Sequence, residues 1–437
     1  MTQLLLRGRL LSFKRAPLSL TDSESYLYES DGALLIEDGR IIAAGDYASV
    51  KEKAPEEIEE IDHRPHLILP GLIDMHLHFP QMQVIASYAG SLLEWLNTYT
   101  FHEECRFVES AHAARIASHF YDELIRHGTT TAAAYCTVHK SSADAFFAEA
   151  LRRGMCMVGG KVMMDRNAPQ GLLDTPEMGY DETRAVIAEW HGKGRNHVAI
   201  TPRFAITSTP AQMKAAQALA EEFPDLFIQT HLSENHEEIR YTCELYPQAR
   251  DYTDIYAHYG LLGPKTLLGH AIHLSDREAD ALSEAGSVAV HCPTSNLFLG
   301  SGLFPMKALM RREKPVRVAV ATDIGGGSSY SMLKTMDEAY KIQQLLGERL
   351  NPLESFYLMT RGNAEALGMA DDIGTLDAGS AADLVVLNAA STPAMRLRME
   401  TITTLPEELF LLQTMGDDRA VVETYVAGKA MKRNAHD

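Results

Sequence analysis

Hydrophobic and polar positions alternate with two different spacings along the middle of the chain. Short apolar runs bounded by turn residues are typical of buried strands, and apolar residues about three to four apart are typical of helices. The predicted strands are Leu72–Phe79, Thr129–Tyr135, Met157–Met164, His197–Ala205, Leu226–Leu232, Lys265–His273, Ser287–Cys292 and Val316–Thr322. The predicted helices are Ala111–His127, Ser142–Arg153, Thr183–Lys193, Pro210–Glu222, Asp276–Ala285 and Ser331–Leu346.

Alternating strands and helices favour a parallel sheet covered by helices. The eight predicted strands indicate a (β/α)8 TIM-like barrel of the α/β class. They occupy roughly 250–300 residues, which suits a barrel better than an open sheet. A doubly wound α/β sheet is the alternative that the pattern leaves open. In a barrel, functional residues belong at the C-terminal ends of the strands.

Both ends of the chain differ from the middle, because short β-rich segments there are separated by turn residues. These segments are Gln3–Leu11, Ala33–Glu37, Arg40–Ala44, Leu67–Leu69, Asp383–Leu387 and Ala420–Val426. Asp38-Gly39 predicts a hairpin, and Ala427-Gly428 predicts a turn. We expect the two ends to pair into one small domain, with residues 1–70 as its first part, residues 365–437 as its second, and the barrel at 71–364 between them.

The composition is that of a globular protein, with 46% hydrophobic and 23% charged residues among 437. A formal net charge of −19 argues against binding to nucleic acid or to an anionic membrane. Five scattered cysteines without a CxxC pair fit a cytoplasmic location. The N-terminus does not resemble a signal peptide, and no apolar stretch approaches the roughly 18 residues of a membrane span.

The first predicted barrel strand contains two histidines near its C-terminal end, His76 and His78. They are two residues apart, so a strand points both imidazoles to one side, where they can share a metal ion. The pair alone is weak evidence, because the chain has 18 histidines and both could lie in the core or on the surface.

Other strand ends also carry polar residues. His231 ends the fifth strand, Glu234 follows three residues later, and His270 lies on the sixth. Asp323 follows the eighth strand, just before Gly325-Gly326-Gly327. Each has an ordinary alternative, namely packed histidines, a solvated glutamate and a helix-capping aspartate.

A barrel would bring these strand ends to one mouth. The predicted metal ligands are His76, His78, His231 and Asp323. Three imidazoles and a carboxylate suit Zn2+ or a similar divalent ion, which lowers the pKa of a bound water to about 7. Glu234 and His270 would lie beside the ion as acid–base groups.

The sequence resembles the amidohydrolase superfamily, whose Pro-Gly-x-x-Asp-x-His-x-His motif it matches at residues 70–78. More narrowly, it resembles those members of the superfamily that deaminate free guanine. The segments that carry this narrower resemblance are His78–Gln81, Leu93–Asn97, Gly160–Asn167, Thr201–Phe204, His231–Asn235, Cys292–Asn296 and Thr322–Gly325. The resemblance covers nearly the whole chain. It implies a metal-dependent barrel, a small β-sandwich formed by the N- and C-terminal segments, and a homodimer.

The resemblance also implies roles for the site residues. The four ligands would hold one ion per subunit, Zn2+ or alternatively Fe2+. Asp323 would accept a proton from the attacking water, His270 would orient the hydroxide, and Glu234 would protonate a ring nitrogen and then help the amine to leave. Members with two metal ions use a modified lysine at the end of strand 4. Arg203 stands there, so one ion is expected, although Lys161 in strand 3 is a lysine that could still bridge a second ion.

Arg203 also bears on the substrate. A guanidinium only donates hydrogen bonds, so it needs an acceptor such as the guanine carbonyl oxygen, where adenine has an amino group. The predicted substrate-binding residues are Gln81, Trp95, Arg203, Phe204, His231 and Glu234. Gln81 is the second polar contact and Phe204 the stacking ring. The alternatives are a structural salt bridge for Arg203, a loop amide for Gln81 and core packing for Phe204, while Trp95 is either a lid residue or a packed one.

These observations lead to one hypothesis, the hydrolytic deamination of free guanine at C2 to xanthine and ammonia. A related amidohydrolase that deaminates another amino-purine, a pterin or a triazine is the alternative. A catalytically inactive barrel that serves as a scaffold is a third interpretation, which the complete ligand set disfavours.

Overall fold

Two hydrogen-bonded sheets organise the chain in a computed structural model that describes residues 3–88 and 92–432. The strands are β1 (Gln3–Phe13), β2 (Tyr26–Glu37), β3 (Arg40–Asp46), β4 (Glu59–Pro70), β5 (Leu72–His78), β6 (Thr129–Tyr135), β7 (Cys156–Gly160), β8 (Val162–Met163), β9 (Asn196–Pro202), β10 (Phe227–Leu232), β11 (Thr266–His270), β12 (Val288–His291), β13 (Arg317–Val320), β14 (Leu384–Leu387), β15 (Val421–Val426) and β16 (Lys429–Ala430).

Helices lie between most of these strands. They are α1 (Tyr47–Lys51), α2 (Leu92–Trp95), α3 (Phe101–Cys105), α4 (Ser110–Arg126), α5 (Lys140–Arg153), α6 (Pro176–Trp190), α7 (Pro210–Glu222), α8 (His236–Leu245), α9 (Tyr252–His258), α10 (Asp276–Ala285), α11 (Pro293–Phe298), α12 (Met306–Met310), α13 (Met332–Leu345), α14 (Pro352–Tyr357), α15 (Asn363–Leu367), α16 (Pro393–Met399) and α17 (Leu405–Met415). Within residues 3–88 and 92–432, no helix combines the length and the apolar character that crossing a bilayer requires.

Parallel strands form the barrel in the order β5-β6-β7-β9-β10-β11-β12-β13, and β8 pairs with β9 beside them. Every residue of β5 and β6 is buried, because side chains fill the barrel interior and helices cover its outside. The predicted (β/α)8 barrel is therefore confirmed, and the alternative of an open doubly wound sheet is excluded.

The barrel closes between β5 and the segment that follows β13. The backbone N–H of Asp323 donates to the carbonyl of His76 at 2.8 Å, and His78 N–H donates to the carbonyl of Ile324 at 3.0 Å. The buried carboxylate of Asp74 accepts hydrogen bonds from the N–H of Thr322, at 3.0 Å, and from its hydroxyl. This closing seam places two of the predicted ligand histidines next to the predicted ligand aspartate.

Strands from both chain ends form the second sheet, in the order β16-β15-β14-β4-β1-β2-β3. The link between the two ends is the antiparallel pair of β14 with β4. Asp38 and Gly39 join β2 to β3 with φ values of 48° and 81°, as a tight hairpin turn requires. The small β-sandwich unit built from both ends of the chain is confirmed, and its strands belong to one continuous sheet.

Some element limits differ from those predicted. The strand predicted at Met157–Met164 is divided into β7 and β8 at Lys161. Helix α6 begins at Pro176 rather than at Thr183, because the side chain of Thr175 caps the helix and proline fits its first turn. The C-terminal segment contains α16 and α17 in addition to the predicted strands, and buried side chains of α17 join the main hydrophobic core.

Candidate active site

Four buried side chains converge at the C-terminal mouth of the barrel, two from β5, one from β10 and one from the residues after β13. One ring nitrogen of each of the three histidines, His76, His78 and His231, lies within 4.8 Å of the others. The Nε2 atoms of His78 and His231 are 3.1 Å apart. Asp323 Oδ1 lies 3.4 Å from His76 Nε2 and 3.5 Å from His78 Nε2. The structure thus brings the four predicted ligands together.

The chemistry of this cluster fits a divalent cation. Burial lowers the pKa of His76 and lowers that of His78 and His231 well below the usual value, so neutral imidazoles with free lone pairs are favoured. His76 Nε2 and Asp323 Oδ1 are buried and make no hydrogen bond within the described chain. His231 Nδ1 lies 2.7 Å from the carbonyl oxygen of Arg203, which fixes the proton on Nδ1 and leaves Nε2 to act as a ligand.

Cys292 is a second possible donor in the same place. It belongs to a group in which one atom from each residue lies within 4.8 Å of the rest, namely His76, His270, Cys292 and Asp323. Burial raises the pKa of the Cys292 thiol well above its usual value, whereas a metal ligand must be a thiolate. The carboxylate and imidazole donors are therefore the better ligand set.

Lys161, the lysine considered as a metal-bridging group, is engaged elsewhere. Its Nζ atom donates to Asp174 Oδ2 at 2.7 Å and to the carbonyl of Val162 at 3.2 Å, and the whole side chain is buried. A lysine held in an ion pair has no free amine for modification. The arrangement favours a site for one metal ion.

The backbone turns sharply at several of these positions. Ser233, His270 and Asp323 have φ values of 48°, 68° and 51°, a left-handed region that residues other than glycine seldom adopt. Each such residue costs about 1–3 kcal/mol and persists only where the surrounding fold enforces it. The barrel thus stabilises strained turns that aim functional side chains into its mouth.

Two acid–base side chains lie beside the ligand cluster. Glu234 Oε2 is 3.5 Å from His270 Nε2, which in turn is 3.7 Å from Asp323 Oδ2. Burial raises the pKa of Glu234. Burial alone would lower the pKa of His270, but Glu234 and Asp323 outweigh it and the pKa is raised. The pair can therefore hold and transfer a proton close to the ligand cluster.

Two neighbours that the sequence did not single out hold this pair in place. The hydroxyl of Ser301 donates to Glu234 Oε1 at 2.8 Å, and His270 Nδ1 lies 2.9 Å from Asn296 Oδ1. Asn296 lies in Cys292–Asn296, one of the segments that carry the family resemblance, and this membership was the sequence signal that could have identified it. Ser301 lies in a loop, and no sequence signal pointed to it.

One cavity joins the acid–base groups to the predicted substrate contacts. Its lining includes His78, Gln81, Trp95, Arg203, Phe204, His231, Glu234, His270 and Asp323. Trp95 is 2% exposed, and its Nε1 makes no hydrogen bond within the described residues. Trp95 is therefore both packed and part of the cavity wall.

The polar end of this cavity depends on a residue that sequence reasoning missed. Glu104, on α3, accepts a hydrogen bond from Arg203 Nη1 and another from Gln81 Nε2, both at 2.7 Å. Glu104 is 1% exposed and Arg203 is 3% exposed. The structural salt bridge considered for Arg203 thus exists, and Arg203 also lines the cavity.

A (β/α)8 barrel with a cluster of histidines and an aspartate at its mouth is the architecture of metal-dependent amidohydrolases. The chain belongs to the Amidohydrolase family, whose model matches residues 67–431.

Within that family the chain is similar to guanine deaminases. The guanine deaminase of Escherichia coli strain K12 is 46% identical over 399 residues, which cover 91% of this chain and 90% of that protein. The crystal structure of guanine deaminase from Bradyrhizobium japonicum matches with a TM-score of 0.96 at 34% identity and covers all of both chains, 100% of each. Guanine deaminase from C. acetobutylicum, solved with guanine bound in its active site, matches with a TM-score of 0.87 at 29% identity over 98% of this chain and 100% of that one.

Proposed function

We propose that this protein is a guanine deaminase, in which water replaces the 2-amino group of free guanine to give xanthine and ammonia. One observation carries the proposal. The cavity of a chain 46% identical to a guanine deaminase combines a buried cluster of candidate metal-binding side chains with Arg203, which only donates hydrogen bonds and suits the carbonyl oxygen of guanine. The strongly acidic chain, with a net charge of −19, favours a free base over a base within a nucleic acid strand.

We further propose that His76, His78, His231 and Asp323 hold one divalent ion. Three imidazole nitrogens and a carboxylate oxygen are suitable ligands for Zn2+, and Fe2+ is the alternative. An ion bound there supplies hydroxide at neutral pH, because it lowers the pKa of a bound water to about 7. The buried cluster supports this assignment, since its unpaired nitrogen and oxygen atoms need a cation as partner.

The remaining residues are assigned to proton transfer. Asp323 takes the proton that the attacking water loses, and His270, 3.7 Å from Asp323 Oδ2, orients that water. Glu234 donates a proton to the ring nitrogen beside C2 while the new C–O bond forms. Glu234 then transfers a second proton, which the attacking water also supplies, to the 2-amino group, so that the C–N bond breaks and ammonia leaves. Burial supports the role of Glu234, because it raises the pKa of the carboxyl group and helps it to carry a proton.

The other cavity residues are assigned to the purine ring. Arg203 donates to the carbonyl oxygen at C6, Gln81 contacts the adjoining polar edge, and Phe204 lies against the ring face. Trp95 covers the cavity, and its unpaired Nε1 is a further donor to the ring. His231 and Glu234 complete the contact surface near C2.

A substrate panel tests the proposed activity. Purified protein, with its metal content measured in the same sample, is assayed with guanine, adenine, other amino-purines, pterins and amino-triazines. We expect xanthine and ammonia in equal amounts from guanine, and much slower turnover of the others. Metal-loaded protein without guanine turnover would overturn the proposal, and faster turnover of a pterin or triazine would favour the alternative substrates.

We also propose a cytoplasmic homodimer. The location is supported by five cysteines that are all free within the described residues. The dimer rests on the family resemblance. Sedimentation of the purified protein and fractionation of the source cells test these two statements.

A further inference from the structure

Glu104 links the two side chains proposed to recognise the purine edge. Its carboxylate lies behind them, outside the cavity lining, with Oε2 bound to Arg203 Nη1 and Oε1 bound to Gln81 Nε2. These three residues are at most 3% exposed. A buried carboxylate that joins two substrate contacts controls how both of them are presented.

The carboxylate determines which end of the Gln81 amide faces it. An ionised carboxylate accepts hydrogen bonds and cannot donate them, so it requires the NH2 end of the amide. The carbonyl oxygen, Oε1, must then point away from Glu104. In this orientation Oε1 is buried and has no hydrogen-bond partner within the described chain. The amide also packs on the backbone, since a Cβ at Gly325 would lie 1.8 Å from Oε1.

The result is a donor next to an acceptor at the polar end of the cavity. Arg203 presents N–H groups, and Gln81 presents a carbonyl oxygen with a free lone pair. The edge of guanine at C6 and N1 has the complementary order, an acceptor oxygen followed by an N–H donor. Adenine and 2,6-diaminopurine reverse that order, because they carry an amino group at C6 and an unprotonated N1. Buried groups without partners penalise such a mismatch heavily.

We propose that Glu104 is a positioning residue that sets substrate specificity. It fixes the Gln81 amide so that Oε1 accepts the N1–H of guanine while Arg203 donates to the carbonyl oxygen. This inference rests on the proposed guanine deamination. It predicts that E104Q discriminates less well between guanine and purines that carry an amino group at C6. The NH2 group of the new amide can donate to Gln81 Oε1, and the Gln81 NH2 group then turns towards the substrate.

The experiment compares kcat/KM for guanine and for 2,6-diaminopurine, which keeps the reacting 2-amino group and alters only the recognised edge. We expect the ratio to fall about a hundredfold in E104Q. The matched control is E103Q, which removes the same charge one residue away. Glu103 contacts Arg106 at 2.6 Å and His112 at 3.0 Å and does not line the cavity, so the ratio should stay within about twofold of wild type.

The selectivity ratio separates positioning from structural damage, because general loss of folded enzyme lowers both kcat/KM values equally. An unchanged ratio in folded, active E104Q overturns the inference and leaves the proposed function standing. Wild-type enzyme without guanine turnover overturns the proposed function itself. If E104Q does not fold, Q81L takes its place, because it removes Gln81 Oε1, the acceptor that E104Q is expected to turn away from the substrate. Q81L should then lower the ratio at least about tenfold, and an unchanged ratio in that variant also refutes the inference.

Discussion

Replacing Glu234 by glutamine isolates the proton-transfer role of this side chain. Glutamine has nearly the same shape, and its carbonyl oxygen can accept the Ser301 hydroxyl as Glu234 Oε1 does at 2.8 Å. The amide cannot deliver an acidic proton. Glu234 belongs to neither group of candidate metal-binding side chains, so E234Q should keep its metal. The variant therefore changes one chemical property of the site.

The expected loss follows from the surroundings of Glu234. A positioned general acid or base contributes roughly a hundredfold to ten-thousandfold in rate. Glu234 is 3% exposed, so bulk water has little access to replace it as a proton donor. The same group is proposed to act twice, once at the ring nitrogen and once at the leaving amine. We therefore expect kcat to fall at least about a thousandfold, which corresponds to about 4 kcal/mol of activation free energy.

The assay measures xanthine formation under steady-state conditions, with metal content and thermal unfolding determined on the same preparation. Ser301→Ala is the matched control, because it removes the hydrogen bond to Glu234 Oε1 and leaves the carboxyl group in place. We expect the control to lose only about tenfold in kcat. If metal-loaded E234Q keeps more than about a tenth of wild-type kcat, the assignment of Glu234 as proton donor is wrong.

Three further predictions address other parts of the molecule. Asn296→Ala should lower kcat about tenfold without metal loss, because His270 Nδ1 loses its hydrogen-bond partner at 2.9 Å. Recovery of activity in Asn296→Asp would support this reason, and full activity of the alanine variant would contradict it. Removing metal with a chelator should abolish turnover and lower the unfolding temperature, and Zn2+ should restore both; protein that takes up no divalent ion would refute the proposed site. Burial lowers the pKa of His291 to about 3, so the unfolded chain binds a proton below about pH 6.5 while the native state does not, and the free energy of unfolding falls by up to about 1.4 kcal/mol per pH unit. Urea unfolding at pH 7.5 and 5.5 should therefore show a smaller decrease in the free energy of unfolding for His291→Gln than for wild type. An equal decrease would show that His291 is not its cause.

The barrel could be predicted because its strands carry their signal locally. Segments such as Thr129–Tyr135 are buried throughout, so each is a short apolar run whose limits the sequence marks well. The convergence of His76 and Asp323 followed in turn, since closing a barrel brings its strand ends to one mouth. The start of α6 was missed because Thr175-Pro176, a cap followed by a first-turn proline, was not recognised as the beginning of the helix.

Glu104 could not be found in the same way. It lies on the five-residue helix α3, which is too short to show a clear apolar period. Its partners are 23 and 99 residues away along the chain, and no spacing rule connects such positions. A glutamate in a polar segment looks exposed until the fold shows Arg203 and Gln81 beside it. Sequence reasoning therefore identified the groups proposed to face the substrate and missed Glu104, the group proposed to position them.

The closing seam of the barrel has a consequence for the synthesis of the protein. Asp74 and Thr322, which hydrogen-bond across it, are 248 residues apart, and the proposed metal ligands lie on both sides of the same seam. On the ribosome, the histidines of β5 are synthesised long before Asp323. The complete ligand set therefore exists only after β13 has been translated and has docked against β5. Binding of the proposed metal ion should accordingly be one of the last steps in the maturation of the protein.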